Sequence, residues 1–433
     1  MKTLFHYTGY SIKIVLLSII CITILSFASS ENPEWIIYDS GNSDLPHNYV
    51  RAIAIDNDGI KWIGTGGGGF VRFDGTDWTV YDTGNSDLPH DYVLRNAITI
   101  DEDDIKWVGT WEGGLARFDD TDWTVYNPVN SDLPHIRVDA ITIDQDNIKW
   151  IGTSGGLARF DDTDWTVYNP GNSDLPNNSV RAVAIDEDGI KWIGTWGGGL
   201  ASFDGADWTV YDTGNSDLSH DRVSAVAVDK DNKKWIGTWG GGLASFDGAD
   251  WTVYDTGNSD LPHNRSIAIT IDEDNIKWIG TWDGLVRLDG TNWTVYDTGN
   301  SDLPHNQVNA ITIDDNNNKW ISTNGGLGVY NEGEIVSVDQ LNTDIPESFI
   351  LRQNYPNPFN PSTTIQFSIP ERISGEIVVY NLLGQKVDLL FDGKFEPGTH
   401  EITFNASNLS SGFYIYRLRA GEYQKSKKMI YLK

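Results

Sequence analysis

Apolar and polar positions along this chain repeat one short pattern. From Val50 to Ile55 the residues are β-branched or Ala-rich and apolar on both faces, which predicts an inner strand covered on each side. The acidic turn Asp56-Asn57-Asp58-Gly59 follows, then a second strand at Ile60 to Thr65 and a Gly-rich turn at Gly66 to Gly69. Phe70 to Phe73 predicts a third strand, Asp74 to Asp77 a turn, and Trp78 to Tyr81 a fourth strand. Short apolar runs divided by Asp-Gly turns are antiparallel hairpin signals. The Lys-Trp pair marks every copy, at Trp62, Trp107, Trp150, Trp192, Trp235, Trp278 and Trp320, with spacings of 45, 43, 42, 43, 43 and 42 residues. Four antiparallel strands at a period of about 40 to 45 residues describe a propeller blade. The expected fold is all-β: a seven-bladed β-propeller over residues 31–345, then a small Ig-like β-sandwich over 346–433.

The strand count contains a surplus. Trp35 to Tyr38 repeats the fourth-strand pattern before the first unit, and Glu334 to Val338 repeats it in degraded form after the last. A ring with an open blade exposes an unpaired edge. Trp35 to Asp39 is expected to complete the last blade, with Glu334 to Val338 as the alternative.

Both ends have their own character. Lys2 and Lys13 precede the apolar run Ile14 to Leu25, and small residues at Ala28 and Ser30 suit cleavage before Glu31, the layout of a secretory signal peptide over residues 1–30. The apolar run is shorter than the roughly 20 residues of a membrane-spanning helix. Cys21, the only cysteine, would leave with it, so the mature chain is expected to be stabilised by packing alone. At the other end, runs at Thr364 to Ile369, Glu376 to Tyr380, Gln385 to Leu390, Gly398 to Phe404, Gly412 to Arg419 and Tyr423 to Leu432 predict the sandwich.

Charge divides along the same boundary. The chain of 433 residues has a formal charge of −31, but residues 31–347 hold 19 basic against 55 acidic groups and residues 348–433 hold 10 against 7. So acidic a propeller repels phosphate backbones and anionic lipid, and neither nucleic acid nor a membrane is an expected partner. Antiparallel connectivity places the first and third turns of every unit at one end of the ring, and those turns contain 33 of the 55 acids. Clusters such as Asp186, Glu187 and Asp188 offer hard oxygen ligands for calcium, but two or three acids before a Gly are too few for six to eight ligands. Turn capping and solubility are the favoured explanation. No metal and no cofactor is expected.

The opposite end is the expected binding face. Its Gly-rich turns carry Trp111, Trp196, Trp239 and Trp282, each after a Gly-Thr pair, where Gly66, Ser154 and Asn324 stand in other blades. Its loops carry His47, His90, His135, His220, His263 and His305, with Asn177 in the fourth unit. Flat rings near a central channel suit stacking on a sugar or capture of an apolar peptide side chain. The alternative is that the rings pack between blades and the histidines hydrogen-bond loop carbonyls. No nucleophile elbow, phosphate loop or zinc-binding helix is found, and departures from the repeat are few, so an enzyme is not expected.

Two resemblances add to this. Ile185-Asp186-Glu187-Asp188-Gly189-Ile190-Lys191-Trp192-Ile193-Gly194-Thr195, followed by Gly197 to Leu200, resembles the two-component regulator propeller repeat, and the likeness extends over about residues 35 to 338. It implies relatives that act as periplasmic sensor halves of membrane histidine kinases, although no kinase or DNA-binding module is expected after this propeller. Gln353-Asn354-Tyr355-Pro356-Asn357-Pro358-Phe359-Asn360-Pro361-Ser362-Thr363-Thr364, with Tyr380 to Gln385, Ser411 to Tyr414 and the basic end Lys425 to Lys433, resembles the type IX secretion sorting domain of Bacteroidetes-like bacteria. That resemblance implies a sorting motif at Tyr355, Pro356, Asn357, Pro358, Phe359, Asn360 and Pro361. It also implies recognition by the type IX machinery, and delivery outside or onto the outer surface of a Gram-negative cell. The expected function is a secreted or surface-displayed protein that binds a glycan or protein through its Trp-rich face. A detached sensor of a split signalling system and a carbohydrate-active enzyme are the alternatives.

Overall fold

The computed structural model describes residues 35–331 and 349–433, apart from 371, 396 and 422. The candidate signal peptide and Glu334 to Val338 lie outside them. Seven four-stranded antiparallel sheets follow one another along the chain, and each innermost strand touches the innermost strand of the next. The last of these, Val308–Ile313, returns to the first, Val50–Ile55, which closes the ring. The structure is therefore a seven-bladed propeller, with Val50–Ile55 opening blade 1 and Val308–Ile313 opening blade 7.

Closure is made by the N-terminal strand Trp35–Tyr38. It forms the outer strand of blade 7, with Trp35 opposite Tyr330 and Tyr38 opposite Leu327. Strands observed in blade 1 are Val50–Ile55, Lys61–Thr65, Phe70–Phe73 and Trp78–Tyr81. The second begins one residue later than the pattern predicts, because the Ile60 carbonyl and amide are both used in the turn, on the Asp56 amide and the Asp56 carboxylate.

Hydrophobic cores lie between blades. Trp62 and Phe70 of blade 1 pack on Val93, Val108 and Phe118 of blade 2 in one buried cluster, and the same arrangement recurs around the ring. The approach is close enough to require glycine: a Cβ on Gly194 would stand 2.5 Å from Val223 Cγ1 of the next blade. The first Asp of each acidic hairpin belongs to this packing. Asp186 Oδ1 accepts from the Asp188 and Ile190 amides, and its Oδ2 accepts from the Trp192 indole at 2.9 Å. All seven marker tryptophans donate to the equivalent Asp.

Residues 350–431 form a small β-sandwich. One sheet joins Ile350–Leu351, Ser362–Ile369 and Gly398–Asn405; the other joins Lys386–Phe395, Ile373–Asn381, Gly412–Ala420 and Tyr423–Tyr431. Ile365, Phe367, Ile377, Val379, Tyr416 and Leu418 fill the space between them. The strand expected to stop at Leu390 runs to Phe395, because Phe391 and Phe395 stay paired to Ile377 and Ile373 across two bulges. Arg352 Nη1 donates to the Asp58 carbonyl at 2.6 Å, so the sandwich touches the acidic end of the propeller.

Candidate functional site

The Gly-rich turns and the loops carrying the histidines share one end of the ring. A Cβ on Gly68 would meet Pro46 and His47, and the Gly67 amide donates to the Asp91 carbonyl. Each histidine has a defined local task. The Nδ1 atoms of His47, His90, His135, His220, His263 and His305 accept from the backbone amide two residues on, at 2.9 to 3.0 Å. Asn177 makes the same bond through Oδ1 to Ser179. The partner is an amide donor, not the loop carbonyl of the alternative sequence reading, and Nε2 is the nitrogen left over.

The four candidate tryptophans sit close to the channel mouth. Trp111 is exposed, at 37%, and Trp196, Trp239 and Trp282 are half-buried. Three of them form one arc, with ring centroids 4.9 Å apart for Trp196 and Trp239 and 5.4 Å for Trp239 and Trp282. Trp111 stands apart from that arc and packs on Tyr92 of the preceding loop, which in turn meets Tyr49.

Arginines complete the circle, and the sequence pattern did not single them out. Arg137 covers Trp111 at 4.0 Å, Arg181 and Arg222 flank Trp196 at 5.3 and 5.2 Å, and Arg265 lies against both Trp239 at 4.7 Å and Trp282 at 4.0 Å. Guanidiniums therefore occupy ring faces that were expected to be free for stacking. On the far side Arg51 donates to the hydroxyls of Tyr49 and Tyr92. In blade 7 the place of the aromatic groups is taken by amides, with Asn309 bonded to Asn324 and Asn324 to Gln307. The arginines escaped notice because they occupy either the residue before the first strand, as Arg137, Arg222 and Arg265 do, or its second residue, as Arg51 and Arg181 do, rather than one column of the repeat.

Blade 2 closes the floor. Its repeat spacing of 45 is the longest, and the surplus residues form a wide bulge between Val93 and Ile98, where other blades skip a single residue. Asn96, at φ 53°, reaches across the ring to the Ser224 carbonyl of blade 5 at 3.4 Å, and Arg95 Nε donates to Asn309 of blade 7 at 3.2 Å. Burial and the neighbouring Arg51 charge lower the Arg95 pKa to about 10. Burial raises the Tyr49 hydroxyl, but Arg51 and Arg95 outweigh it and hold the pKa below its ordinary value. Asn96 also lines a cavity of about 80 Å³ together with Ala52, Ile53, Ile98, Ala268 and Ile311. Arg95 and Asn96 thus form a floor across the axis, and the candidate bowl is the space between that floor and the tryptophans and arginines of the turns. Among the described residues no group of three or more His, Cys, Asp or Glu could hold a metal ion.

In the sandwich the sorting segment is stitched to the last strand. Phe359 is buried against Tyr431, its amide donates to the Ile430 carbonyl, and Asn357 Oδ1 accepts from the Ile430 amide. The Pro356 carbonyl accepts from Asn354 and Thr363, whereas Tyr355 is 61% exposed.

Taken together, these features define a seven-bladed β-propeller with a Trp- and Arg-bearing end, followed by a β-sandwich. Residues 44–67 and 174–197 match the two component regulator propeller family, and residues 353–432 match the secretion system C-terminal sorting domain. The chain thus carries regulator propeller repeats and a sorting tail that directs it to the cell surface or outside. No curated protein matches it. Among solved structures it is similar to the extracellular domain of a hybrid two component system from B. thetaiotaomicron, at 19% identity and a TM-score of 0.60, covering 92% of this chain and 57% of that one. It is also similar to PorZ, a surface component of the type-IX secretion system of Porphyromonas gingivalis, at 18% identity and a TM-score of 0.53, covering 92% and 61%. A virginiamycin B lyase from Staphylococcus aureus has a TM-score of 0.55 at 15% identity, covering 68% of this chain and 98% of that enzyme. The chain spans about three fifths of the length of the first two structures. At these identities the likeness is one of fold.

Proposed function

We propose that this protein is a secreted or surface-displayed binding protein that takes up a glycan or protein ligand at the Trp-rich mouth of its propeller. In this reading residues 1–30 are removed on export, residues 31–345 bind, and residues 346–433 engage the type IX secretion machinery. The single observation that carries it is the half-buried arc of Trp196, Trp239 and Trp282, held by glycine-rich turns instead of being absorbed into a blade core. Rings left partly exposed around a concavity have a desolvation free energy that a ligand can recover. The protein acts by binding rather than turnover: the loop histidines spend Nδ1 on turns, and the one marked departure from the repeat is used to build a floor. The test is a glycan array with the purified chain beside a Trp196→Ala/Trp239→Ala variant of unchanged melting temperature. Loss of the bound signals in the variant is expected, and undiminished binding would remove the reading.

A detached sensor passing occupancy to a separate membrane kinase is the second reading. The matches to the two component regulator propeller family favour it. Crosslinking in intact cells separates the two, since a sensor must be recovered with a kinase partner.

A further inference from the structure

Six arginines gather at the Trp-bearing end of a protein that is otherwise strongly negative, with the carboxylates of Asp139, Glu112 and Asp283 beside them. Of the propeller's 19 basic residues, all nine lysines and four of the ten arginines belong to the acidic-hairpin end. Arg72, Arg117, Arg159 and Arg287 are there each paired to an aspartate. The other six, Arg51, Arg95, Arg137, Arg181, Arg222 and Arg265, all lie around the mouth. Asp139 neutralises part of this charge, bonded by Arg137 at 2.9 Å and by Arg181. Among the described residues, Arg51, Arg95, Arg222 and Arg265 have no carboxylate within ion-pair distance.

Four uncompensated guanidiniums converging on one concavity are unfavourable by themselves. Like charges repel, and partial burial removes the water that would screen them. Burial first, and then the Arg51 charge, lower the Arg95 pKa, in keeping with that repulsion. Unused polar atoms lie at the same place: Arg51 Nε, Arg181 Nε, Ser179 Oγ and Trp282 Nε1 are buried with no hydrogen-bond partner. The loops outside the bowl carry aspartates such as Asp87, Asp132 and Asp174, so the positive region is confined to the centre and suits a compact anion, not a long polyanion.

We propose that the bowl binds an acidic saccharide, the carboxylate or sulfate of one sugar unit meeting Arg222 and Arg265 while its ring lies among Trp196, Trp239 and Trp282. Planar guanidinium forks already pinned on indoles are preorganised for bidentate anion recognition. The amides of Gln307 and Asn324 face the same mouth and offer donors and acceptors to hydroxyls. The proposal rests on the mouth being the binding site and adds the charge of what binds.

The test is an array that presents uronate-, sialate- and sulfate-bearing glycans beside their neutral counterparts, probed with the purified chain, Arg222→Gln/Arg265→Gln and Arg222→Lys/Arg265→Lys. Expected hits are acidic glycans, with titrated affinity at least ten-fold lower for the Gln pair, partial retention for the Lys pair, and melting temperatures within a few degrees of the parent. Carboxyl methyl esters of a uronate hit are expected to bind at least ten-fold more weakly. Binding confined to neutral glycans and lost in Trp196→Ala/Trp239→Ala overturns this inference and leaves the Trp-face reading standing. Acidic hits unaffected by the Gln pair, or no glycan binding at all, overturn the inference as well.

Discussion

Lys234 lies over the indole of Trp192 although the two belong to neighbouring blades, its ammonium 4.9 Å from the ring centroid. The same ammonium is 3.2 Å from Asp186 Oδ2, the oxygen that accepts the Trp192 indole N–H. Lysine, tryptophan and aspartate thus form one inter-blade clamp, and its lysine-on-indole contact is repeated at all seven junctions. The Lys-Trp pair that marks the repeat works between units: each lysine serves the tryptophan of the blade before its own.

Replacing Lys234 with Met is expected to destabilise the propeller by about 3 kcal/mol, the usual cost of removing one partner of a buried ion pair. Both side chains are almost fully buried. Lys191→Met should cost less, because its ammonium is 3.9 Å from Asp144 Oδ2. Thermal denaturation of the two variants checks the order; equal melting temperatures would contradict the clamp.

Ring closure depends on a strand about 290 residues distant in sequence from its partner. Deleting residues 35–39 should expose the edge of Gly326–Tyr330, lower the melting temperature by several degrees and make the protein associate at higher concentration. Calorimetry with light scattering reads both effects. A deletion variant that melts like the parent would mean that the strand contributes nothing to closure.

Histidine in the Leu-Pro-His loop can be replaced by whatever accepts the same amide. Asn177 already does so. His135→Asn is therefore expected to lie within about 0.5 kcal/mol of the parent, and His135→Ala to lose about 1 kcal/mol, the net value of one hydrogen bond. If Asn and Ala are equally damaging, the turn bond is not what the residue supplies.

Two aspartates give opposite pH signatures. Burial raises the Asp186 carboxyl, but the Trp192 indole, the Ile190 amide and Lys234 outweigh it and hold its pKa below the ordinary value. Its stabilisation is therefore present above about pH 4, the unfolded value, and is lost as pH falls through the lower folded value. Asp104 is raised to about 6, chiefly by burial, against the pull of Lys106. The folded protein binds that proton more tightly than the unfolded chain, so stability falls as pH rises from about 4 to 6. Asp104→Asn should flatten that slope and raise the melting temperature at pH 7.5, and its φ of 64° suits asparagine. A lower melting temperature with an unchanged slope would refute the assignment.

The periodic pattern by itself determined the all-β class, seven blades, their strand order and the sandwich, because short apolar strands and Asp-Gly turns are local properties repeated often enough to be unmistakable. It also identified the end that carries Trp111, Trp196, Trp239 and Trp282, since antiparallel connectivity assigns every turn to a side. Tertiary structure alone decided what that end contains. Arg51, Arg137, Arg181, Arg222 and Arg265 look interchangeable with the Tyr, Ser, Asp and Asn of other blades, and converge only when the ring closes and brings alternating positions of different blades to one rim. The surplus residues of blade 2 read as a slightly longer repeat, and only the narrow axis makes Arg95 and Asn96 into a floor. The acidic hairpins changed most: charge counting made them a solvated rim, while packing turned their first aspartates inward to bind the tryptophans that hold the blades together. Local physics chose the strands, and long-range closure chose the chemistry, because a binding surface on a propeller is assembled from one or two residues of every blade.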